Sequence, residues 1–353
     1  MKKNLYAFLF LMFIAVGARA QDGFDQLIRS TPADATKLIN AYSNPLFKGL
    51  GFGLNSGWTN TAKTKGFLHF DVRITASYIT PPVSDKSFDV TKIGLSNHVQ
   101  PAGSATIAQT FNGSKNLSGP TMNVFDDNGN KVTSFDMPSG QLSFTAAPQL
   151  QATVGLVQNT DVTVRYIPDV KFSDDIGTIG MFGFGLKHNI AQDFNSLKHP
   201  VPFDLSVAFG YSRLNYSKGL NVQPESGAQP LNAQQSTDFR NQKIDGHINS
   251  FLVQAILSKK FLVFTPFVAV GYNTAKTEVG LLGNYPITSS AVPVTGQKFY
   301  TSYNNPVNIT NSNVDGVRGD LGFQLDLAFF RFYASYSLSQ SYNMANAGIG
   351  LSF

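Results

Sequence analysis

The 353-residue chain contains no cysteine. That excludes disulfides, thiolate metal sites, cysteine nucleophiles and the lipid-modified cysteine of a lipoprotein. Charge is also scarce, at 14% of residues against about 25% in an ordinary soluble domain. No basic cluster goes beyond isolated pairs such as Lys259-Lys260, so nothing points to nucleic acid as a partner. Past residue 20 there is no run of about 18 apolar residues, the length a membrane-crossing helix needs. No GxSxG elbow occurs, and no two of the histidines His69, His98, His188, His199 and His247 share HxH or HxxxH spacing, so neither catalysis nor a metal or other cofactor is expected. His247 with Ser250 is the nearest local pair for hydrolysis, and nothing adjacent orients it.

What is present begins with a targeting segment. Lys2 and Lys3 precede the apolar "LYAFLFLMFIAVGA", and Ala18-Arg19-Ala20 places small residues at the two cleavage-determining positions. Residues 1–20 therefore read as a secretory signal peptide. Its removal takes three of the 27 basic residues and leaves 24 against 22 acidic ones, so the mature chain is nearly neutral.

The remainder alternates. In "GFLHFDVRITASY", Leu68, Phe70, Val72, Ile74, Ala76 and Tyr78 face one way, and His69, Asp71, Arg73, Thr75 and Ser77 the other. The same period of two recurs from Phe203 to Tyr211, from Val317 to Leu327 and from Phe330 to Leu338, the signature of strands with one apolar face. Strands are expected at 47–58, 66–79, 86–95, 141–157, 162–172, 177–190, 203–216, 247–259, 261–275, 317–328, 330–341 and 346–353. Their length of about 10–14 residues exceeds the roughly 5–6 of soluble strands and suits tilted membrane-spanning strands of about 9–11. Counted in order, the long connections 96–140, 217–246 and 276–316 are all odd, whereas the even ones are short or medium. Long external loops, short periplasmic turns and both ends inside are the pattern of a bacterial outer-membrane barrel. The terminal "AGIGLSF" ends a last alternating strand on Phe353, similar to the signal read by the barrel assembly machinery.

The expected fold is thus all-β: a transmembrane antiparallel β-barrel of 12–14 strands in the outer membrane, in contact with its lipid and lipopolysaccharide. The apolar faces meet lipid and the polar faces line the lumen. This puts His69, Asp71, Arg73, Arg165, Lys187, Asp204, Arg213, Asp320, Asp326 and Arg331 into an interior polar network of mixed sign. Trp58, Tyr78, Tyr216, Tyr272 and Tyr342 fit interfacial girdles. Ahead of the strands, Thr31-Pro32-Ala33-Asp34 is a helix start with N-cap, first-turn proline and acid. It opens a helix with Ala35, Leu38, Ile39 and Tyr42 on one side. Within 96–140, Asn128-Gly129 is a hairpin signal, so this region adds two strands outside the membrane or raises the barrel to fourteen. Asp126, Asn128 and Asn130 have the spacing that opens a calcium loop, but Lys131 occupies the position that needs Gly, which favours a plain hairpin.

Four stretches carry a resemblance: "LINAYSNPLFKGLGFGLNSGWTNTAKTKGFLHFDVRI", "GLVQNTDVTVRYIP", "GFGLKHNIAQDF" and "GIGLSF". Together they resemble FadL-like outer-membrane barrels, and more closely an uncharacterised Bacteroidota branch in which "NSGWTNTA" recurs. The resemblance implies a fourteen-stranded barrel with an internal N-terminal hatch, passing hydrophobic molecules such as fatty acids or aromatic hydrocarbons. It divides the chain into a signal peptide (1–20), a helical plug (21–46) and the barrel (47–353). Asn44-Pro45 matches the Asn-Pro that ends the hatch, although Leu46 stands where that motif has Ala. The expected function is passive uptake of a hydrophobic solute past Leu38, Ile39 and Tyr42, with a small plug displacement opening the way. The alternative is a structural or secretion-associated docking barrel without transport.

Overall fold

The computed structural model describes residues 25–194, 201–340 and 342–353; the expected signal peptide and His199 lie outside them. Ten strands close into one antiparallel barrel. In chain order they are β1 (Phe70–Thr80), β2 (Thr145–Gly155), β3 (Thr160–Ser173), β4 (Gly177–Asn189), β5 (Asp204–Gly219), β6 (Lys243–Ser258), β7 (Phe264–Leu282), β8 (Val307–Leu327), β9 (Phe330–Ser339) and β10 (Tyr342–Ser352). Each pairs with its sequence neighbour, and β10 closes on β1 with Asp71 opposite Ser352 and Thr80 opposite Asn343. The apolar sides face out: Phe70 is 47% exposed and Val207 42%, whereas Asp71 is only 4% exposed and Thr75 and Ser77 are buried. A closed barrel leaves no sheet edge, and with its oily side outward its solvent is hydrocarbon. The chain is an outer-membrane β-barrel.

The count of ten corrects the expected twelve to fourteen, and two segments account for it. The first is 47–58, whose alternating "GLGFGL" continues the helix α1 (Pro32–Leu54) instead of forming a strand. The second is 86–95, where only Ser87–Asp89 is extended, paired with Ile107–Gln109 above the barrel. Because one segment was lost before β1 and one after it, each long connection stays odd. They are now 81–144, 220–242 and 283–306, with 276–282 and 307–316 belonging to β7 and β8. Thr121–Phe125 and Lys131–Asp136 form the hairpin expected at Asn128-Gly129, with Gly129 at φ 79°. Asp126 accepts the Asn130 and Asn128 amides at 2.8 and 3.0 Å, so its carboxylate caps the turn. The Asn130 amide, foremost among these donors, holds that carboxyl below its ordinary range.

α1 starts as expected: the Asp34 amide donates to Thr31 Oγ1 at 3.4 Å and Pro32 occupies the first turn. It then runs down the lumen, touching β1, β2, β5, β6, β7, β8 and β10. Its beginning lies at the long-loop end, where Leu27, Ile28, Ala35 and Leu38 pack with Val90, Val99, Met122 and Phe135 of the 81–144 cap. The described N-terminal segment therefore begins at the external end, descends, and turns into β1 near Gly66–His69, so that the first and last barrel strands start and end together at the short-turn end, Phe70 beside Phe353. Gly49, Gly51 and Gly53 explain how a helix fits there. A Cβ on them would come within 2.5 Å of Thr145, 2.7 Å of Ala275 and 2.3 Å of Ala147. Their period of two mimics a strand, yet its physical role is to let a helix backbone lie against the barrel wall.

Candidate functional site

α1 divides the lumen unequally. On one side it is pinned by polar pairs: Asn44 accepts from Asn313 Nδ2 at 2.8 Å, Asn40 pairs with Asn311, and Asn55 donates to the Thr274 carbonyl at 3.0 Å. Lys48 reaches Asp85 at 3.0 Å, and Asp85 also accepts the Tyr342 hydroxyl at 2.8 Å. On the opposite side lies a cavity of about 510 Å³. The helix contributes Ile39, Tyr42, Leu46, Phe47, Leu50 and Leu54 to it; the wall contributes Ala147, Ile167, Met181, Leu214 and Ile248. The lining is predominantly apolar, with Asp175, Lys218, Asn221 and His247 among its few polar members, the character of a hydrophobic ligand site.

The wall beside this cavity is not fully hydrogen-bonded. β2 and β3 pair only from Gln151–Arg165 down to Gly155–Asp161. Above that level Thr145–Leu150 has no partner on the β3 side, although it pairs with β1 throughout. Pro148 and Pro168 lie on the two facing stretches and lack amide donors, and β3 bulges between Ile167 and Val170. The unpaired stretch spans the heights of Ile74 to Ile79 on β1, within the apolar belt. Both edges of the seam, including Ala146, Pro148 and Ile167, line the cavity. Irregular backbone at such depth is tolerated where it borders a cavity.

Beneath the cavity the lumen is closed by charge. Arg165 is fully buried; it donates to the Leu54 carbonyl at 2.7 Å, the Ser56 carbonyl at 2.6 Å and Gln151 Oε1 at 3.0 Å. Its guanidinium lies 3.7 Å from the centre of the Trp58 ring. The carbonyl end of α1 carries partial negative charge, which this cation meets without any carboxylate. Arg73 donates to the Trp58 carbonyl at 2.5 Å, and Arg318 pairs with Asp320 at 2.7 Å. Below them Lys65–Asp71 (2.7 Å), Lys187–Asp161 (3.1 Å), and Asp326 with Lys260 (2.7 Å) and Arg331 (3.0 Å) complete the floor. Trp58 rests on Gly183, Gly185 and Gly210, where any Cβ would come within 3.2 Å of the indole.

Most of the anticipated polar network meets here: Asp71, Arg73, Arg165, Lys187, Asp320, Asp326 and Arg331, with Asp204 accepting from Asn189 at 2.8 Å near the lower rim. His69 is exposed in the turn before β1, with Nδ1 3.2 Å from the Phe67 carbonyl, at the mouth of the vestibule that Asp71, Arg73 and Lys187 line. Arg213 sits on the outward face with Tyr211, donating to Asn215 at 3.1 Å. Of the plug candidates, Leu38 packs into the cap and Ile39 and Tyr42 reach the cavity. Asn44 pins the helix, and Pro45 stands inside α1 rather than at its end. Trp58, Tyr216 and Tyr342 are turned inward and do not form a girdle; Tyr78 and Tyr272 do face out. Phe353 closes the barrel seam, exchanging backbone hydrogen bonds of 2.9 and 3.1 Å with Phe70. His247 and Ser250 fall on opposite faces: His247 lies 3.6 Å from Glu278, and Ser250 is buried in the lumen. Lys65, Asp161 and Arg318 were not anticipated as site residues; alternation with Asp320 was the available signal for Arg318.

Several solved outer-membrane barrels are similar in fold. The protease OmpT of Escherichia coli is 8% identical over 83% of this chain and 100% of its own, with a TM-score of 0.34. Ail, the attachment invasion locus protein of Yersinia pestis, is 10% identical over 82% and 100%, with a TM-score of 0.24. The toluene transporter TodX of Pseudomonas putida is 9% identical over 88% and 97%, with a TM-score of 0.23. No curated protein matches the sequence. A family model described as a family of unknown function, DUF6588, matches residues 1–353, the whole length, and the chain belongs to that family.

Proposed function

We propose that this outer-membrane barrel takes up hydrophobic small molecules passively, fatty-acid-like or aromatic as the FadL-like resemblance implies, and that they leave it through its wall into the membrane. The observation that carries this reading is the apolar cavity of about 510 Å³ bordered by the unpaired edges of β2 and β3. A greasy solute gains nothing from the charged floor, where it would strip water from guanidinium and carboxylate groups. It is favoured along α1 and through the seam, where apolar surface is continuous with lipid. In this reading α1 is a plug in the sense of a fixed divider. Its pinned side and its clamped lower end make displacement costly, and the route runs past it instead of requiring it to leave. The docking alternative, a barrel that carries no solute, separates from this reading in one experiment.

The protein is reconstituted into lipid vesicles, and influx of an externally added hydrophobic fluorophore and of a labelled fatty acid is followed. Native protein is expected to accelerate influx over protein-free vesicles. Leu50→Trp and Leu214→Trp, which fill the cavity, should slow it by about tenfold, equivalent to about 1.4 kcal/mol in the barrier. Equal rates for native protein, both variants and empty vesicles remove the transport reading and leave the docking one.

A further inference from the structure

The two ends of the barrel differ in the residues at their left-handed turn positions, although exposed apolar side chains such as Val83 and Val294 occur at the external end as well. At the external end the left-handed positions are filled by Gly177 (φ 92°), Gly283 (φ 104°), Asn305 (φ 49°) and Gln340 (φ 49°), and the tight β3–β4 turn displays Asp174 and Asp175. At the other end Leu262 (φ 52°) is 92% exposed and Leu68 (φ 60°) is 63% exposed. Ala328 (φ 54°) precedes Phe329, which is 65% exposed. The β2–β3 turn combines Gln158 and Asn159 at positive φ with an exposed Val157. A left-handed backbone is strained for leucine and easy for Gly or Asn. In water, Leu262 would be unfavourable twice, through its backbone and through its bare side chain. Both penalties fall on the same residue; an apolar phase around the tip removes the second, and the transfer gain of the side chain offsets the first.

The surroundings identify that phase. Phe264, Phe330, Phe353 and Phe70 stand directly above the tips on the outward belt, with the Phe70 and Phe353 rings 5.3 Å apart. The apolar tips thus continue the surface that already faces lipid. At the base of the Leu262 hairpin Phe261 and Phe264 exchange backbone bonds of 2.7 and 2.8 Å, so these groups enter such a phase already paired. Lys259 lies over the Phe261 ring at 5.5 Å, placing an ammonium on an aromatic body as an interfacial residue does. We propose that the turns at this end are seated in the inner leaflet of the membrane, with lipid covering Leu68, Leu262 and Phe329. The polar vestibule of about 260 Å³ formed by Lys63, Lys65, Asp71 and their neighbours then opens at the depth of lipid headgroups, not into free periplasmic water.

The absence of cysteine makes the test direct. Single variants Leu262→Cys and Phe329→Cys are labelled with a nitroxide in phosphatidylethanolamine–phosphatidylglycerol vesicles. Val268→Cys on the belt and Asp174→Cys at the opposite tip serve as references. The ratio of collision with oxygen to collision with a water-soluble nickel complex reports depth. At 262 and 329 that ratio should exceed the Asp174→Cys value several-fold and approach the Val268→Cys value. Ratios equal to that at Asp174→Cys overturn the proposal, since these tips would then stand in water and await some other occupant, such as a periplasmic protein. Two positions in separate turns keep the test decisive if one variant fails to fold, and neither lines the transport cavity.

Discussion

The upper and lower halves of the lumen hold the same polypeptide segment by opposite means. Above, α1 lies against an oily void on one side and a few amide pairs on the other. Below, the residues that follow it are gripped by Arg73, Arg165 and Arg318 and by a layer of Lys–Asp pairs. Hydrocarbon contacts are non-directional and tolerate an unfilled space, whereas a buried guanidinium needs every donor placed. The difference teaches where the molecule is rigid. Its floor is held by directional hydrogen bonds and ion pairs, while its upper chamber leaves room for something else.

The largest effect should come from breaking the floor. Arg165→Ala removes three hydrogen bonds, stranding the Ser56 carbonyl and leaving the Leu54 carbonyl only the Ser212 hydroxyl at 3.4 Å; a loss of about 3–5 kcal/mol is expected, since each hydrogen bond to a charged group contributes about 1.5–3 kcal/mol. Urea unfolding of the vesicle-inserted protein measures it. Gly53→Ala comes next: its new Cβ meets that of Ala147 at 2.3 Å, and overpacking of this kind costs about 1–3 kcal/mol. The same unfolding experiment should show a lowered midpoint, with part of the loss recovered in the double variant with Ala147→Gly. Asn44→Ala on the pinned side leaves Asn313 without its partner and should cost about 1 kcal/mol. Leu50→Ala should be the mildest of the four, below about 1 kcal/mol, because it enlarges an existing cavity instead of opening a packed core. If Leu50→Ala were to cost as much as Arg165→Ala, the contrast between chamber and floor would collapse.

Particular residues show how far the chain could be read in advance. Asp71 and Arg73 lie inside and Phe70 and Val72 outside because a strand with a period of two has no other way to sort them between lumen and lipid. Thr31, Pro32 and Asp34 marked the start of α1 through purely local chemistry. Its end was not local. "GLGFGL" carries a strand's period, yet Gly49, Gly51 and Gly53 are helical because β2, β7 and β8 approach them too closely for any side chain. Trp58 was equally illegible: an aromatic before a strand fits a girdle, but here three glycines and Arg165 hold it within the lumen. Arg213 went to the outer face because it shares the parity of Phe209 and Tyr211, a register that its charge obscured.

The sequence alone determined the alternating strands, the order of long and short connections and hence a barrel with its oily side turned outward. Each depends on near neighbours or on a period along one strand, where local sterics and transfer to lipid suffice. Only the tertiary structure decided that ten strands close the ring, that α1 is pinned to one wall, that β2 and β3 part above Gln151 and Arg165, and that arginines seal the base. Those features arise where segments distant in the chain compete for the same enclosed volume, and no periodicity within a single segment records the outcome.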